Sequence, residues 1–418
     1  MYMEMQWWKN STSSSSARVL LLVENNPYPA DFRVRREAHA LRDAGYRVSV
    51  IAPRESGQFW MEEVDGVGVY RFPPPPGGNG ILGYAFEFSY ATLAMFVLTI
   101  WVAARKGVDI IHAANPPDTL FMIGAVFKLF GKRFVFDHHD LAPETYLSRF
   151  NSPKENLIYY VLRLCERASY AVADMVIATN ESYKMIALTR GRKHPDKVFV
   201  VRNGPPRSYQ PLEPHSNLIS QAKHLIGYIG TIGPQDGVDY WLRAIREMVF
   251  TLGRRDFMAV IIGNGDALPN VQALAKELKI DDYVYFTGRL SEYEARKYLS
   301  AVKVCVQPDP LNPLNDKSTM NKLMEYMALG KPTVAFDLTE TRYSALEAAL
   351  YVRPNDELEF AERVNWLLDH PEESRKMGEI GRRRVAELLA WEYSEVELLR
   401  AYKDGLGLVP YNRISPEL

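Results

Sequence analysis

Twice along the chain, short apolar runs of buried-strand type alternate with helical patterns, and a patternless, Pro-rich stretch at residues 205–222 separates the two series. The first series opens at ARVLLLVE and passes through the turn-rich NNPYPAD into DFRVRREAHALRDAGY. There Val34, Ala38 and Leu41 share one helix face and Gly45 is the stop; RVSVIAP follows as a strand. Strand, loop, helix and strand make a βαβ unit. The series continues through VDIIHAANPPD, TLFMIGAVFKLF, KRFVFDHHDLAPE, a helix over 155–171, MVIATN, ESYKMIALTR and VFVVRNG. The second begins at HLIGYIG, crosses the loop GTIGPQDGVD and repeats the alternation to ALYVRP. Two doubly wound parallel sheets are the expected architecture, with ligands beyond the carboxyl ends of the strands. The expected domains are 17–205 and 206–390, preceded by a flexible leader at 1–16 and followed by a helical segment at 391–418 that packs back across them.

At 418 residues the chain exceeds one ordinary core. A net charge of −1 speaks against a nucleic-acid binder that relies on bulk positive charge. The two cysteines, Cys165 and Cys305, lie far apart in apolar stretches and read as buried thiols in a reducing compartment.

The stretch NPLNDKSTMNKLMEYMALGKPTVAFD, from Asn312 to Asp337, carries the clearest chemistry. Met320, Leu323, Met324 and Met327 are spaced as one helix face, Ser318 or Thr319 can cap that helix, and Gly330 with Lys331 and Pro332 ends it. A helix N-terminus attracts phosphate, and Lys317 and Lys322 flank this one. Glu325 has two readings: a carboxylate that accepts hydrogen bonds from a ribose diol, or an exposed residue paired with Lys322 or Lys331. The loop from Gly230 to Asp239, with Gly230, Gly233 and Gly237, precedes a helix as a phosphate loop does, although tight turns use glycine equally.

Strand ends of the first series gather Asn25, Asp31, His112, Asn115, Asp118, Asp137, His138, His139, Asp140 and Glu144. Adjacent residues of a strand point to opposite faces, so His138 and His139 do not both enter one site and DHHD is a poor metal set. One histidine is expected at a site, the other packed or capping. Ile81 to Ala104 is the most hydrophobic segment, uncharged from Phe88 to Ala104. It reads either as a buried helix or as a helix dipping into one leaflet, with Arg105 and Lys106 meeting anionic lipid.

These pieces resemble the GT-B glycosyltransferases, and within them the retaining family numbered four. The resemblance rests on DFRVRREAHALRDAGYRVSVIAP, IIHAANPP, FDHHDLAPE, VRNG, GDALPNVQALAKEL with YFTGRL, and NKLMEYMALGKPTVAFD. It implies sugar transfer from a nucleoside-diphosphate sugar, UDP-linked by family habit, to a glycan or lipid-linked acceptor with retained anomeric configuration. It implies neither metal nor cofactor. Glu325 would hold the nucleotide ribose and Lys322 the diphosphate. Gly230, Thr231, Gly233 and Gly237, with Asn264, Arg289, Leu290, Lys317, Ser318 and Thr319, would complete the donor side. His139 would orient substrate, with Asp31, Arg33, Asn115 and Asp118 on the acceptor side. The chain departs from the family where Lys317 replaces the first Glu of a Glu-x7-Glu pattern. It departs again where Thr231 and Asp236 replace the Arg and Lys that usually meet the diphosphate. A cytoplasmic protein, peripheral at the inner-leaflet surface, is the expected setting. A non-catalytic partner subunit and a nucleotide-sugar epimerase stand as alternatives.

Overall fold

The computed structural model describes residues 17–74, 80–150, 155–214 and 223–407. The leader at 1–16, positions 75–79 of the PPPPGGNG run, most of the second half of the linker (215–222) and the last stretch at 408–418 lie outside the described residues. Two compact units are present: residues 17–74, 80–143, 155–201 and 395–407 form the first, and 144–150, 202–214 and 223–394 the second.

The first unit contains β1 (Arg18–Leu22), α1 (Phe32–Asp43), β2 (Arg47–Pro53), β3 (Met61–Val64), β4 (Val67–Phe72), α2 (Gly80–Arg105), β5 (Ile110–Ala114), α3 (Phe121–Lys128) and β6 (Arg133–His138). After α4 (Ala142–Arg149), which runs into the second unit from Glu144 on, come α5 (Leu157–Val172), β7 (Met175–Ala178), α6 (Glu181–Thr189) and β8 (Val198–Val200). The strand order is β3-β4-β2-β1-β5-β6-β7-β8, parallel throughout except for the β3–β4 hairpin. That hairpin escaped the sequence reading, although its turn is Asp65-Gly66, both with positive φ, the two-residue connection that matches strand twist. β1 and β5 are buried along almost their whole length because helices cover both faces of a parallel sheet. Asp31 caps α1 by accepting from the Val34 N–H at 2.9 Å, and Asn156 and Asn180 cap α5 and α6 in the same way.

The second unit contains β9 (His224–Ile229), α7 (Val238–Arg246), β10 (Phe257–Ile262), α8 (Leu268–Glu277), β11 (Val284–Gly288), α9 (Glu292–Ala301) and β12 (Val304–Gln307). It continues with α10 (Asn321–Ala328), β13 (Thr333–Phe336), α11 (Thr339–Ala345), β14 (Ala349–Val352), α12 (Glu357–Asp369), α13 (Pro371–Arg384) and α14 (Trp391–Arg400), the last passing into the first unit at Glu395. Its six parallel strands are ordered β11-β10-β9-β12-β13-β14. Trp241, Phe336 and Phe360 pack at the centre of the core on one face, and Leu323, Met324, Tyr326 and Met327 of α10 at the centre of the other. In each sheet the strand order reverses beside the first strand, between β1 and β5 and between β9 and β12. Loops diverge there and leave room at the carboxyl ends.

The 81–104 segment is a single helix within α2 that is covered on one side only, which corrects the buried-helix reading. Ala91, Met95, Thr99 and Val102 face the sheet, while Leu82, Phe86, Leu93, Val97 and Ile100 are exposed. Its inner face packs on β2 and β4.

Candidate functional site

In the second unit the loops after β9, β10 and β12 interlock by close backbone approach. The Gly230 N–H donates to the Ile262 carbonyl at 3.0 Å, and the Ile232 N–H donates to that of Asn264 at 3.1 Å. Gly237 has φ +70° and would place a Cβ 2.0 Å from the Pro308 carbonyl oxygen. A Gly237→Ala variant therefore meets both a left-handed backbone and a backbone clash, and should lose at least about 2 kcal/mol in urea unfolding. A loss below half of that would show that the loop has room to move. Asp236 folds the loop back on itself by accepting from the Gly233 N–H at 2.9 Å.

Below this loop lies the base of α10. Lys322 is buried; its Nζ donates to Asp309 Oδ1 at 2.9 Å and to the Tyr228 hydroxyl at 3.3 Å, over the Tyr228 ring. Burial opposes protonation of Lys322, but Asp309 and Asp236 outweigh it and raise its pKa, so the ammonium persists. Burial also pushes Asp236 up to about 6, against the pull of Lys322. Tyr326, one turn on, reaches back to receive the Ile229 N–H on its hydroxyl at 2.9 Å, which ties α10 to the end of β9.

Neither Ser318 nor Thr319 caps α10, which corrects the sequence expectation. The N-cap is Met320, whose side chain makes no capping bond. Ser318 Oγ instead donates to the Leu314 carbonyl at 2.8 Å, because residues 315–317 form a separate 3-10 turn ending at Lys317. Thr319 is drawn to Glu340 and to Arg202, whose guanidinium stacks on Tyr343 and whose Nη2 makes no hydrogen bond. The other end of α10 is as expected: Gly330 has φ +68°, and the N–H groups of Gly330 and Lys331 close on the carbonyls of Met327 and Tyr326. Glu325 is half-buried on the same helix. Lys322 Nζ donates to Asp309, and Lys331 Nζ donates to the carbonyls of Ser300 and Val302. Thr231, Asn264 and Arg289 are exposed at neighbouring strand ends, with Leu290 half-buried.

In the first unit the expected acceptor residues separate into two kinds. His139 keeps an accessible edge, and its Nδ1 lies 3.4 Å from Asp137 Oδ2. Burial opposes its protonation, yet the neighbouring Asp137 carboxylate outweighs burial and raises its pKa. Asn115 positions it: Oδ1 accepts the N–H groups of His139 and Asp140 at 2.8 and 3.1 Å, and Nδ2 donates to Asp118 at 2.8 Å. Asp118 is itself enclosed, and burial, then the neighbouring Glu166, push it up to about 8. His138 is packed among Phe136, Tyr170 and Tyr183, and burial, then Arg190, lower it to about 3. Glu144 is buried and groups with the second unit.

Arg33 points inward. Its Nε and Nη2 meet both oxygens of Asp137 at 2.8 and 2.6 Å, Nη2 lies 3.2 Å from Glu37, and Nη1 donates to the Val201 carbonyl. His112 completes the cluster, 3.5 Å from Glu37 and 2.7 Å from the Tyr402 hydroxyl. Glu37, His112 and Asp137 bring ligand atoms within 4.8 Å of one another, as a metal site would. The Arg33 guanidinium already supplies the cation there. Asp309, Tyr228, Glu37 and Tyr402 were missed by sequence reasoning. Only Glu37, as a charge on the inward face of α1, left a readable signal.

A family model described as glycosyl transferase 4-like domain matches residues 30–204, and one described as glycosyl transferases group 1 matches residues 223–370. The MMP alpha-(1->4)-mannosyltransferase of Mycolicibacterium hassiacum is 25% identical over 260 residues, 60% of this chain and 59% of that protein, so the chain spans less than two thirds of its length. Among solved structures, sucrose-phosphate synthase from Thermosynechococcus elongatus superposes with a TM-score of 0.73 at 17% identity, over 94% of this chain and all of that one. Anabaena HepE in complex with UDP and glucose does so with a TM-score of 0.71 at 16% identity, over 93% and 99%. With both family models matched in series over most of its length, and with two parallel-sheet units of the corresponding fold, the chain belongs to the group 1 glycosyltransferases of GT-B type.

Proposed function

We propose that the protein transfers a sugar from a UDP-sugar to a lipid-linked glycan acceptor at the inner leaflet, with the anomeric configuration retained. One observation carries the donor half: at the switch point of the second sheet a glycine loop, a helix N-terminus without a side-chain cap and the buried Lys322 ammonium converge. Negative charge develops on the diphosphate as the bond from the anomeric carbon to its oxygen breaks, and this arrangement opposes it in advance. The acceptor oxygen attacks from the face the diphosphate leaves, and its proton passes to the departing phosphate oxygen. His139, held by Asp137 and Asn115, orients a substrate hydroxyl. Glu325 accepts from the ribose diol, and Lys317, Ser318 and Thr319 lie along the loop that leads to the helix. The acceptor reading is supported by the exposed apolar side of α2.

Calorimetric titration with UDP, GDP and ADP tests the donor half. UDP should bind in preference to the other two, and Glu325→Ala should weaken it by roughly 1–3 kcal/mol, the value of a hydrogen bond to a charged group. Binding of none of the three would sink the donor site, and equal binding to the variant would remove Glu325 from it.

A further inference from the structure

The connections β4 to β5, β5 to β6, β6 to β7 and β7 to β8 all step the same way along the first sheet. Right-handed crossovers therefore set α2, α3, α5 and α6 side by side on one face, with α1 on the other. A helix layer of this kind ordinarily shows polar residues to water. Here it does not: Phe86 and Val97 of α2, Val161 and Leu164 of α5, and the pair after α3, Leu129 at 84% and Phe130 at 73% exposure, all face outward. α2 and α5, with Met122 and Val126 of α3 between them, thus expose apolar residues at helical spacing on one face of the sheet.

Charge along one border says what covers it. At the amino edge of β1, β5 and β6 stand Arg18, Arg105, Lys106, Lys128, Lys132 and Arg133. The acidic groups that face them are Asp109, held by Arg18 and Lys132, and Asp174, held by Lys128 and Arg133. Arg105, Lys106 and Arg133 remain exposed, next to the Leu129–Phe130 tip. An apolar face with a cationic rim complements an anionic bilayer, whose hydrocarbon takes the first and whose headgroups meet the second.

We infer that α2, α3 and α5 together form a docking face that seats the first unit on anionic lipid, with Leu129 and Phe130 as its deepest point. The inference deepens the lipid-acceptor reading above and rests on it, but docking is measured without substrate. The full chain is sedimented with vesicles of phosphatidylcholine alone and of phosphatidylcholine mixed with phosphatidylglycerol. Binding should favour the anionic vesicles and fall with added salt. The double variant Leu129→Glu with Phe130→Glu should lose at least about tenfold in partition, as expected when two apolar side chains that would enter the bilayer become charged. Arg105→Glu with Lys106→Glu should lose roughly tenfold on anionic vesicles only. No binding by the parent, or partition unchanged in both variants, overturns the inference. A parent dimer that the Leu129/Phe130 variant dissolves into monomers overturns it too, in favour of a second copy as the occupant. UDP titration of the same variants should match the parent, so a failure of nucleotide binding counts against the transferase reading and leaves the docking result to stand by itself.

Discussion

Lys322→Ala should lower the sugar-transfer rate by roughly 10²–10³-fold, the effect of removing one preorganised group that stabilises developing negative charge. It should also destabilise the second unit. The ammonium lies between Asp309, at 2.9 Å, and Asp236, and burial already pushes both carboxyls up. Without it two carboxylates face the proposed diphosphate position without their cation, and breaking such a pair from one side costs about 3–5 kcal/mol. The two effects separate in the double variant Lys322→Ala with Asp309→Ala: removing the stranded carboxylate should restore most of the unfolding free energy and none of the activity. Urea titration and initial rates on the same preparations give both readouts, with Lys276→Ala, an exposed lysine of α8, as the control. If Lys322→Ala turns over within about twofold of that control, less than half a kcal/mol of barrier, Lys322 has no part in the reaction.

How much of this was readable beforehand depends on how local each feature is. The alternation of strand and helix, the apolar face of α10 and its Gly330 stop each depend on residues within a few positions of one another, and pattern reasoning reaches that far. The cap of α10 is also local, yet it was misread. Ser318 and Thr319 are good capping residues by type, but the 3-10 turn at 315–317 postpones the helix start to Asn321 and spends Ser318 on a carbonyl. The Lys322–Asp309 pair spans thirteen residues and exists because the connection after β12 folds back on the first turn of α10, while Tyr228 joins it because β12 lies beside β9, an adjacency that strand order decides and composition does not. The same reason hid Tyr402, which meets His112 across 290 positions. Asn115 and Asp118 were rightly found at a strand end. Their type alone could not tell that they would bond each other and the backbone of His139 and Asp140. For α2, composition gave the hydrophobicity but not the face: only packing on β2 and β4 decides which half of the apolar surface is covered.

Arg33 shows the largest displacement from expectation, and its removal should be the costliest change in the first unit. As a charged residue following a strand-end loop it reads as an acceptor contact; in the structure its guanidinium is enclosed and clamps Asp137 through two nitrogens while lying 3.2 Å from Glu37. Arg33→Ala should therefore destabilise folding by about 3–5 kcal/mol near neutral pH, because Asp137 is left buried without its cation. The pH dependence gives the sign. Burial alone would raise Asp137, but Arg33 overrides it and holds the carboxyl well below the usual range. Its contribution to stability is thus present above the unfolded carboxylate pKa and lost only as pH falls through the much lower folded value. In the variant burial acts unopposed by the guanidinium, the folded Asp137 pKa moves up, and the carboxyl can enter the fold protonated. Glu37, which burial pushes up to about 7 even in the parent, loses the same cation and moves the same way. The gap between parent and variant should therefore shrink as pH is lowered from 8 toward 5, whereas loss of a solvent-exposed pair, whose carboxyl titrates at about 4, would leave it unchanged over that window. Urea midpoints measured at several pH values in that window check this. A gap below about 1 kcal/mol would fit an exposed pair rather than a buried one, and a gap that stays constant with pH would remove Asp137 and Glu37 as its cause. His139 supplies an independent reading of the same cluster, since the carboxyl that Arg33 clamps also raises the imidazole pKa. With Asp137 protonated in the variant that support is gone; loss of the Arg33 charge acts the other way but is the smaller effect, so the imidazole should titrate at lower pH than in the parent, as proton NMR of the ring would record.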